Sequence, residues 1–295
     1  MTSPISREET LIGEFREKLA QSPKRVYSQS ELTPLIADLR VKRAFPRDLS
    51  ERTFLRRLIQ DGILKEIALN ATYSFDAKRY HWGPFSDYEL ALSLKPGGYL
   101  SHGTAARLHN LIDHEPTTIY INKEQSPKNS KGTLTQTGIN RAYSNKQRQS
   151  GYIVMHDRTR IVLLSGKNTS RLGVTKIRGP QDEHLELTDL ERTLIDIAVR
   201  PSYAGGAKKV AKAYRNAASQ TSILRLTKML EQLGYVYPYH QTLGFYLQNA
   251  GHPQSTLQPL RDLGLNFDFY LEHGMTQPRM DSSWRVYCPQ DINVS

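Results

Sequence analysis

Residues 50–83, SERTFLRRLIQDGILKEIALNATYSFDAKRYHWG, permit few arrangements. Phe54, Leu55, Leu58 and Ile59 recur at i, i+1, i+4 and i+5, which places them on one face of a helix. Arg52, Thr53, Arg56, Arg57 and Gln60 fall on the opposite face. Asp61-Gly62 supplies a stop, because glycine accepts the left-handed backbone that ends helices. The β-like runs Ile63–Leu69 and Tyr73–Trp82 follow, around a turn near Asn70. An arginine-bearing helix backed by a basic hairpin is the pattern of a winged helix-turn-helix, whose helix enters the major groove while the wing holds phosphates.

Two amphipathic segments precede it and complete a three-helix module. Glu8–Ala20 carries Leu11, Ile12, Phe15 and Leu19 on one face, and a second helix beginning at Tyr27-Ser28 carries Leu32, Leu35, Ile36 and Leu39. Ser28 with Glu31 three positions on has capping-box spacing. Lys42, Arg43 and Arg47 sit in the turn before the arginine-rich helix. The candidate DNA-binding set is therefore Lys42, Arg43, Arg47, Arg52, Thr53, Arg56, Arg57, Gln60, Lys78 and Arg79. Arg52 and Arg56 are one turn apart and suit the groove floor, Arg57 and the turn cations suit phosphates, and Lys78 and Arg79, with Tyr80 or His81, suit wing contacts.

The charge distribution agrees with a polyanionic partner. Net charge is +11. Residues 1–83 hold 15 Lys/Arg against 11 Asp/Glu, residues 84–180 hold 14 against 6, and residues 181–295 hold 11 against 12. The first 180 residues thus carry the basicity, which adds salt-dependent affinity for nucleic acid. A single cysteine, Cys288, excludes an internal disulfide and a cysteine-based zinc site. The first residues lack the signal-peptide pattern and no apolar run approaches 18 residues, so a soluble, cytoplasmic protein without a membrane partner is expected.

The expected fold class is α+β: residues 1–83 form the winged helix, and residues 84–295 a larger mixed domain. Its first part, 84–180, reads as mixed sheet. It contains a helix at Ser86–Leu94, a strand–turn–helix at 98–112 with Ser101 as N-cap, a buried strand at 117–122, and β-like runs in 152–164 and 171–178. Lys123–Gly151, with six Lys/Arg against one Glu and no apolar periodicity, reads as a solvated loop or extended hairpin. It is either a second contact for an acidic partner or a flexible excursion. The second part, 181–295, reads as mostly helical: Leu187–Ala198 with Thr188 as cap, then Lys208–Ala218, Ser222–Leu233 and Tyr239–Ala250, with two closing strands in the tail.

Three segments in this order, GGYLSHGTAARLHNL (97–111), ELTDLERTLIDIAVRPSYAGG (186–206) and VYPYHQTLGFYLQNAG (236–251), resemble the AbiEi-type antitoxins of bacterial type IV toxin–antitoxin and phage-defence systems. The resemblance implies an N-terminal DNA-binding domain that represses its own operon at inverted repeats. It also implies a C-terminal domain that counteracts a cognate nucleotidyltransferase-like toxin, and no enzyme activity.

Other chemistries fit the residues less well. His102, His109 and Asp113 have helical spacings, but no set of zinc-ligand type accompanies them, so no metal or cofactor is expected. Asp61 with Asp76-Ala77-Lys78 mimics a spaced D…D-x-K nuclease pattern but falls within the proposed wing. LSGKN at 164–168 lacks the glycine that a phosphate loop requires. Glu191, Arg192 and Asp196 read as a capping residue plus an i, i+4 pair. A stand-alone transcriptional regulator and a Mg²⁺-dependent defence nuclease are the alternative functions.

Overall fold

The structure, a computed structural model, describes residues 7–42, 49–73, 78–113, 118–127 and 133–292. The chain is a mixed α/β protein. Its N-terminal part contains α1 (Arg7–Gln21), β1 (Val26–Ser28), α2 (Gln29–Lys42), α3 (Glu51–Gln60), β2 (Lys65–Ile67), β3 (Asn70–Ala71) and β4 (Arg79–His81). The apolar stripes of the three helices meet as the periodicity requires. Leu11, Phe15, Leu19, Leu32, Ile36, Phe54 and Leu58 are all buried in one core, with Phe15 and Phe54 edge to face at 6.0 Å. Each such side chain contributes roughly 1.5–3 kcal/mol on burial.

The hairpin differs from its expected form. β2 and β4 pair antiparallel, with Lys65 opposite His81, but β1 adds to the other side of β4 and makes the sheet three-stranded. Between β2 and β4 the chain leaves this sheet. Asn70 and Ala71 pair instead with Met155 and Val154 of the next sheet, and residues 74–77 lie outside the described residues. Val26 and Ile67 likewise pack into the following core. The boundary expected at Gly83-Pro84 is thus crossed by backbone pairing and by shared apolar side chains.

The central sheet has seven strands in the order β3-β7-β8-β6-β5-β10-β9. Beyond β3 they are β5 (Tyr99–Leu100), β6 (Thr118–Glu124), β7 (Ile153–His156), β8 (Thr159–Gly166), β9 (Val174–Arg178) and β10 (His184–Thr188). Side-chain alternation gives the sheet two distinct faces. Ile119, Ile121, Ile161 and Leu163 point to a core shared with α4 (Asp87–Leu94) and α5 (His102–Leu108). Tyr120, Val162 and Leu164 point the other way, where Tyr203 covers them. That second face becomes the floor of a cleft described below.

Residues 123–151 are not a continuous loop. β6 ends at Glu124, and α6 (Gln136–Tyr143) is capped by Thr135 Oγ1, which accepts from Gly138 N at 3.1 Å. Ile139 and Tyr143 are buried one turn apart. Two apolar positions in so polar a segment are too few for a periodicity to register, which is why the helix escapes sequence reading. Residues 128–132 lie outside the described residues.

The C-terminal part stacks α7 (Leu190–Val199), α8 (Ala207–Ala217), α9 (Ile223–Leu233), α10 (Tyr239–Asn249) and the single turn α11 (Gln258–Arg261) around one apolar core. A small sheet of β11 (Phe269–Tyr270), β12 (Arg279–Asp281) and β13 (Val286–Cys288) closes it. The cap of α7 is Asp189, whose Oδ1 accepts from Arg192 N at 2.9 Å. Thr188, the expected cap, is instead fully buried, with its hydroxyl bonded to Thr193 Oγ1 at 2.8 Å. Among the described residues, no helix is long and apolar enough to cross a membrane.

Candidate nucleic-acid interface

Helix α3 begins where Ser50, in extended conformation, accepts a hydrogen bond from Thr53 N at 3.1 Å. Such a cap is worth roughly 1 kcal/mol. It ends at Gly62, whose φ of +69° would strain any residue with a Cβ. With Phe54, Leu55 and Leu58 held in the core, Arg52, Thr53, Arg56, Arg57 and Gln60 are all exposed. The expected face therefore exists as a continuous polar surface on a capped helix.

Its members are not equivalent. Arg57 Nε lies 3.1 Å from Asp61 Oδ2 and 3.8 Å from Glu8, so part of its charge is already answered. Thr53 Oγ1 is engaged with Ser50 Oγ at 2.8 Å. Among the described residues Arg52 and Arg56 meet no carboxylate within ion-pair reach. An exposed guanidinium left with five N–H donors and no acceptor is ready for phosphate or guanine. Lys42 closes α2, while Arg43 and Arg47 fall outside the described residues.

The residues expected in a wing divide. Lys78 is exposed, 3.7 Å from Glu66. Arg79 cannot reach a duplex: it is buried, and its Nε and Nη2 donate to Ser93 O at 3.2 and 3.0 Å. It pins β4 to the end of α4, because the pleat that turns Lys78 outward turns Arg79 inward. Tyr80 is buried in the N-terminal core and is no DNA contact either.

The other residues singled out in the sequence serve the fold. His109 Nε2 bonds Thr188 O at 2.8 Å, and Asp113 pairs with Lys212 at 2.8 Å. Asp61 holds Arg57, and Asp76 lies outside the described residues. Among the described residues no three His, Cys, Asp or Glu side chains gather as a metal site would require. Arg192 and Asp196 form the i, i+4 pair, buried, at 2.8 Å. Glu191 does not close a capping box; its carboxylate accepts from Ser222 N at 3.1 Å and pairs with Arg225 at 2.9 Å, tying α7 to α9.

His102 is the exception. It adopts a left-handed backbone (φ 51°), which a non-glycine residue holds only when its surroundings enforce it. Its ring meets Tyr203 edge to face at 5.3 Å, and Nδ1 bonds Ser101 Oγ at 2.8 Å. Burial pulls its pKa down to about 4. The folded ring is thus neutral near pH 6.5, where the unfolded ring begins to take a proton. Stability is expected to fall as pH drops from about 6.5 toward 4 and to level off below, with a slope of at most about 1.4 kcal/mol per pH unit. Urea titrations of His102→Gln should lack that acid-side slope.

No protein-family model matches this chain, and no curated protein does. Among solved structures the chain is similar to the "RV2827C protein from Mycobacterium tuberculosis", with a TM-score of 0.53 at 15% identity, covering 97% of this chain and 95% of that one. The likeness extends over nearly the whole of both chains and concerns the fold.

Proposed function

We propose that the chain is a sequence-specific DNA-binding antitoxin and autorepressor, with its first 83 residues acting as a winged helix-turn-helix. The observation that carries the reading is the pair Arg52 and Arg56, exposed one turn apart on a capped helix with no carboxylate within ion-pair reach among the described residues. Four residues rise about 6 Å, within about 1 Å of two base-pair steps, so both side chains can address base edges from one groove. The exposed Lys78, 3.7 Å from Glu66, adds a phosphate contact from the wing. Its preferred partner is its own promoter, at inverted repeats with one subunit per half-site.

Counteracting a nucleotidyltransferase-like toxin is the second half of the proposal and rests on the three antitoxin-like segments. They assemble into one unit: Gly103 lies against Tyr203 O so closely that a Cβ would sit 2.4 Å from it, and α10 packs on α7. Segments that resemble one family and also meet in space support a common role for this part of the chain.

In mobility-shift titrations on the upstream region, Arg56→Ala is expected to weaken specific binding by about 1–3 kcal/mol, roughly fivefold to 150-fold. Binding to random DNA should weaken less. Unchanged affinity of Arg56→Ala for the promoter would remove α3 as the reading helix. A nucleotidyltransferase gene beside this one, whose growth arrest is relieved by co-expression, tests the antitoxin half.

A further inference from the structure

On the face of the central sheet covered by Tyr203 lies a cleft of about 840 Å³. It runs between the ends of β6 and β8, the turn after α7 and the segment leading into α10. Its volume falls in the range of small-molecule sites. Four cations line it; Arg192 is paired with Asp196, which leaves Arg148, Lys167 and Arg200. Among the described residues none of them meets a carboxylate within ion-pair reach. Lys167 and Arg200 are nevertheless held in place, while the Arg148 side chain is exposed. Lys167 Nζ donates to Leu233 O and Gly234 O at 2.7 and 2.6 Å, and Arg200 Nη1 donates to Arg148 O at 3.0 Å. Carbonyl acceptors fix these groups without neutralising them. Arg200 keeps the rest of its donor fork, and the one carboxylate in the lining, Asp196, is taken by Arg192.

The cleft is also aromatic. Tyr152, 58% exposed, and the half-buried Tyr235 and Tyr237 line it, with Lys167 Nζ 5.5 Å from the Tyr235 ring centre. At its floor stand His102, in its enforced left-handed conformation, and Tyr203. Anchored but unanswered cations call for an anion, and tyrosine rings beside them offer a stacking surface to a flat heterocycle. An acidic peptide would use the cations and leave the rings idle.

We infer that this cleft binds a free nucleotide, its phosphates held by Arg148, Lys167 and Arg200 and its base stacked on the cleft tyrosines. The site is independent of the DNA-reading helix, so either assignment can fail without the other. It gives the Gly-Lys pair of LSGKN a role the sequence withholds: β8 ends at Gly166, and Lys167 projects at the cleft as a point charge without a phosphate loop.

The experiment is calorimetric titration of the full chain with ATP, GTP, CTP and UTP separately, and with inorganic tripolyphosphate. At least one nucleotide should bind saturably, and tripolyphosphate at least tenfold more weakly. Lys167→Gln and Arg200→Gln should each lower nucleotide affinity tenfold or more while leaving the affinity for promoter DNA unchanged. The double variant Tyr152→Leu, Tyr237→Leu should lower nucleotide affinity without changing that for tripolyphosphate. Thermal melts verify folding, and the exposed Lys167 keeps one variant free of core damage. Failure of all four nucleotides to bind at millimolar concentration overturns the proposal. So does equal binding by tripolyphosphate, or nucleotide affinity unmoved in both cation variants.

Discussion

Arg192→Ala is expected to cost about 3–5 kcal/mol of stability, because it strands the Asp196 carboxylate in the interior. Both side chains are almost wholly buried, with Nε 2.8 Å from Asp196 Oδ1. The guanidinium also donates from Nη1 to Leu172 O at 2.6 Å and Thr169 Oγ1 at 3.1 Å, so it joins α7 to the turn before β9. Burial alone would favour losing its proton; the Asp196 charge more than offsets this and raises its pKa above the ordinary value. Removing both charges is a different experiment. Arg192→Met with Asp196→Leu leaves no unpaired ion and is expected to recover most of the loss. Urea unfolding of the three variants checks this. A single variant within about 1 kcal/mol of the parent would mean that water reaches Asp196 and the pair is not an interior one.

The same pair shows how much of this molecule is legible in its sequence. The i, i+4 spacing of Arg192 and Asp196 announces an ion pair, and α7 itself is plain from Leu194, Ile195 and Ile197. Spacing says nothing of depth, however, and a charged pair reads as surface until neighbours bury it. Helices with strong stripes, such as α3, α8, α9 and α10, are found within one or two residues because their periodicity is local. Arg79 lay beyond reach for the opposite reason. Its inward turn depends on which strands flank β4 and on the carbonyl that Ser93 offers from α4. Strand β3, which falls in the expected wing, is likewise decided by β7, more than 80 residues away in the chain.

Of the candidate site, the exposed face of α3 could be read from sequence because a helix wheel fixes it once the core residues are known. The cleft could not. Arg148, Lys167 and Arg200 come from three segments with no common motif, and Lys123–Gly151, which supplies the first of them, reads as featureless. Two signals do point there in the sequence: the SHG turn and the glycine pair after PSYA. Gly103 must be glycine because Tyr203 O occupies the place of its Cβ.

A second close approach lies elsewhere, where Trp284 rests on Gly244 of α10. Trp284 is fully buried, with Nε1 donating to Gln248 Oε1 at 2.8 Å and Arg261 stacked 4.2 Å from its ring centre. Its backbone carbonyl accepts from the buried Gln241 at 2.8 Å, so this residue helps to join α10 to the closing sheet. Trp284→Ala should cost about 3–5 kcal/mol, the lost transfer free energy plus the cavity left behind. Gly244→Ala acts from the other side of the same contact. Its Cβ would lie 2.2 Å from the indole ring, so the ring or the helix must move, at about 1–3 kcal/mol. Because both changes act on one contact, they should not add: with the indole removed, Gly244→Ala fills part of the vacated space and raises helix propensity. Chemical denaturation of the two single variants and the double closes the cycle. Strictly additive losses would mean that Gly244 is glycine for some reason other than the ring above it.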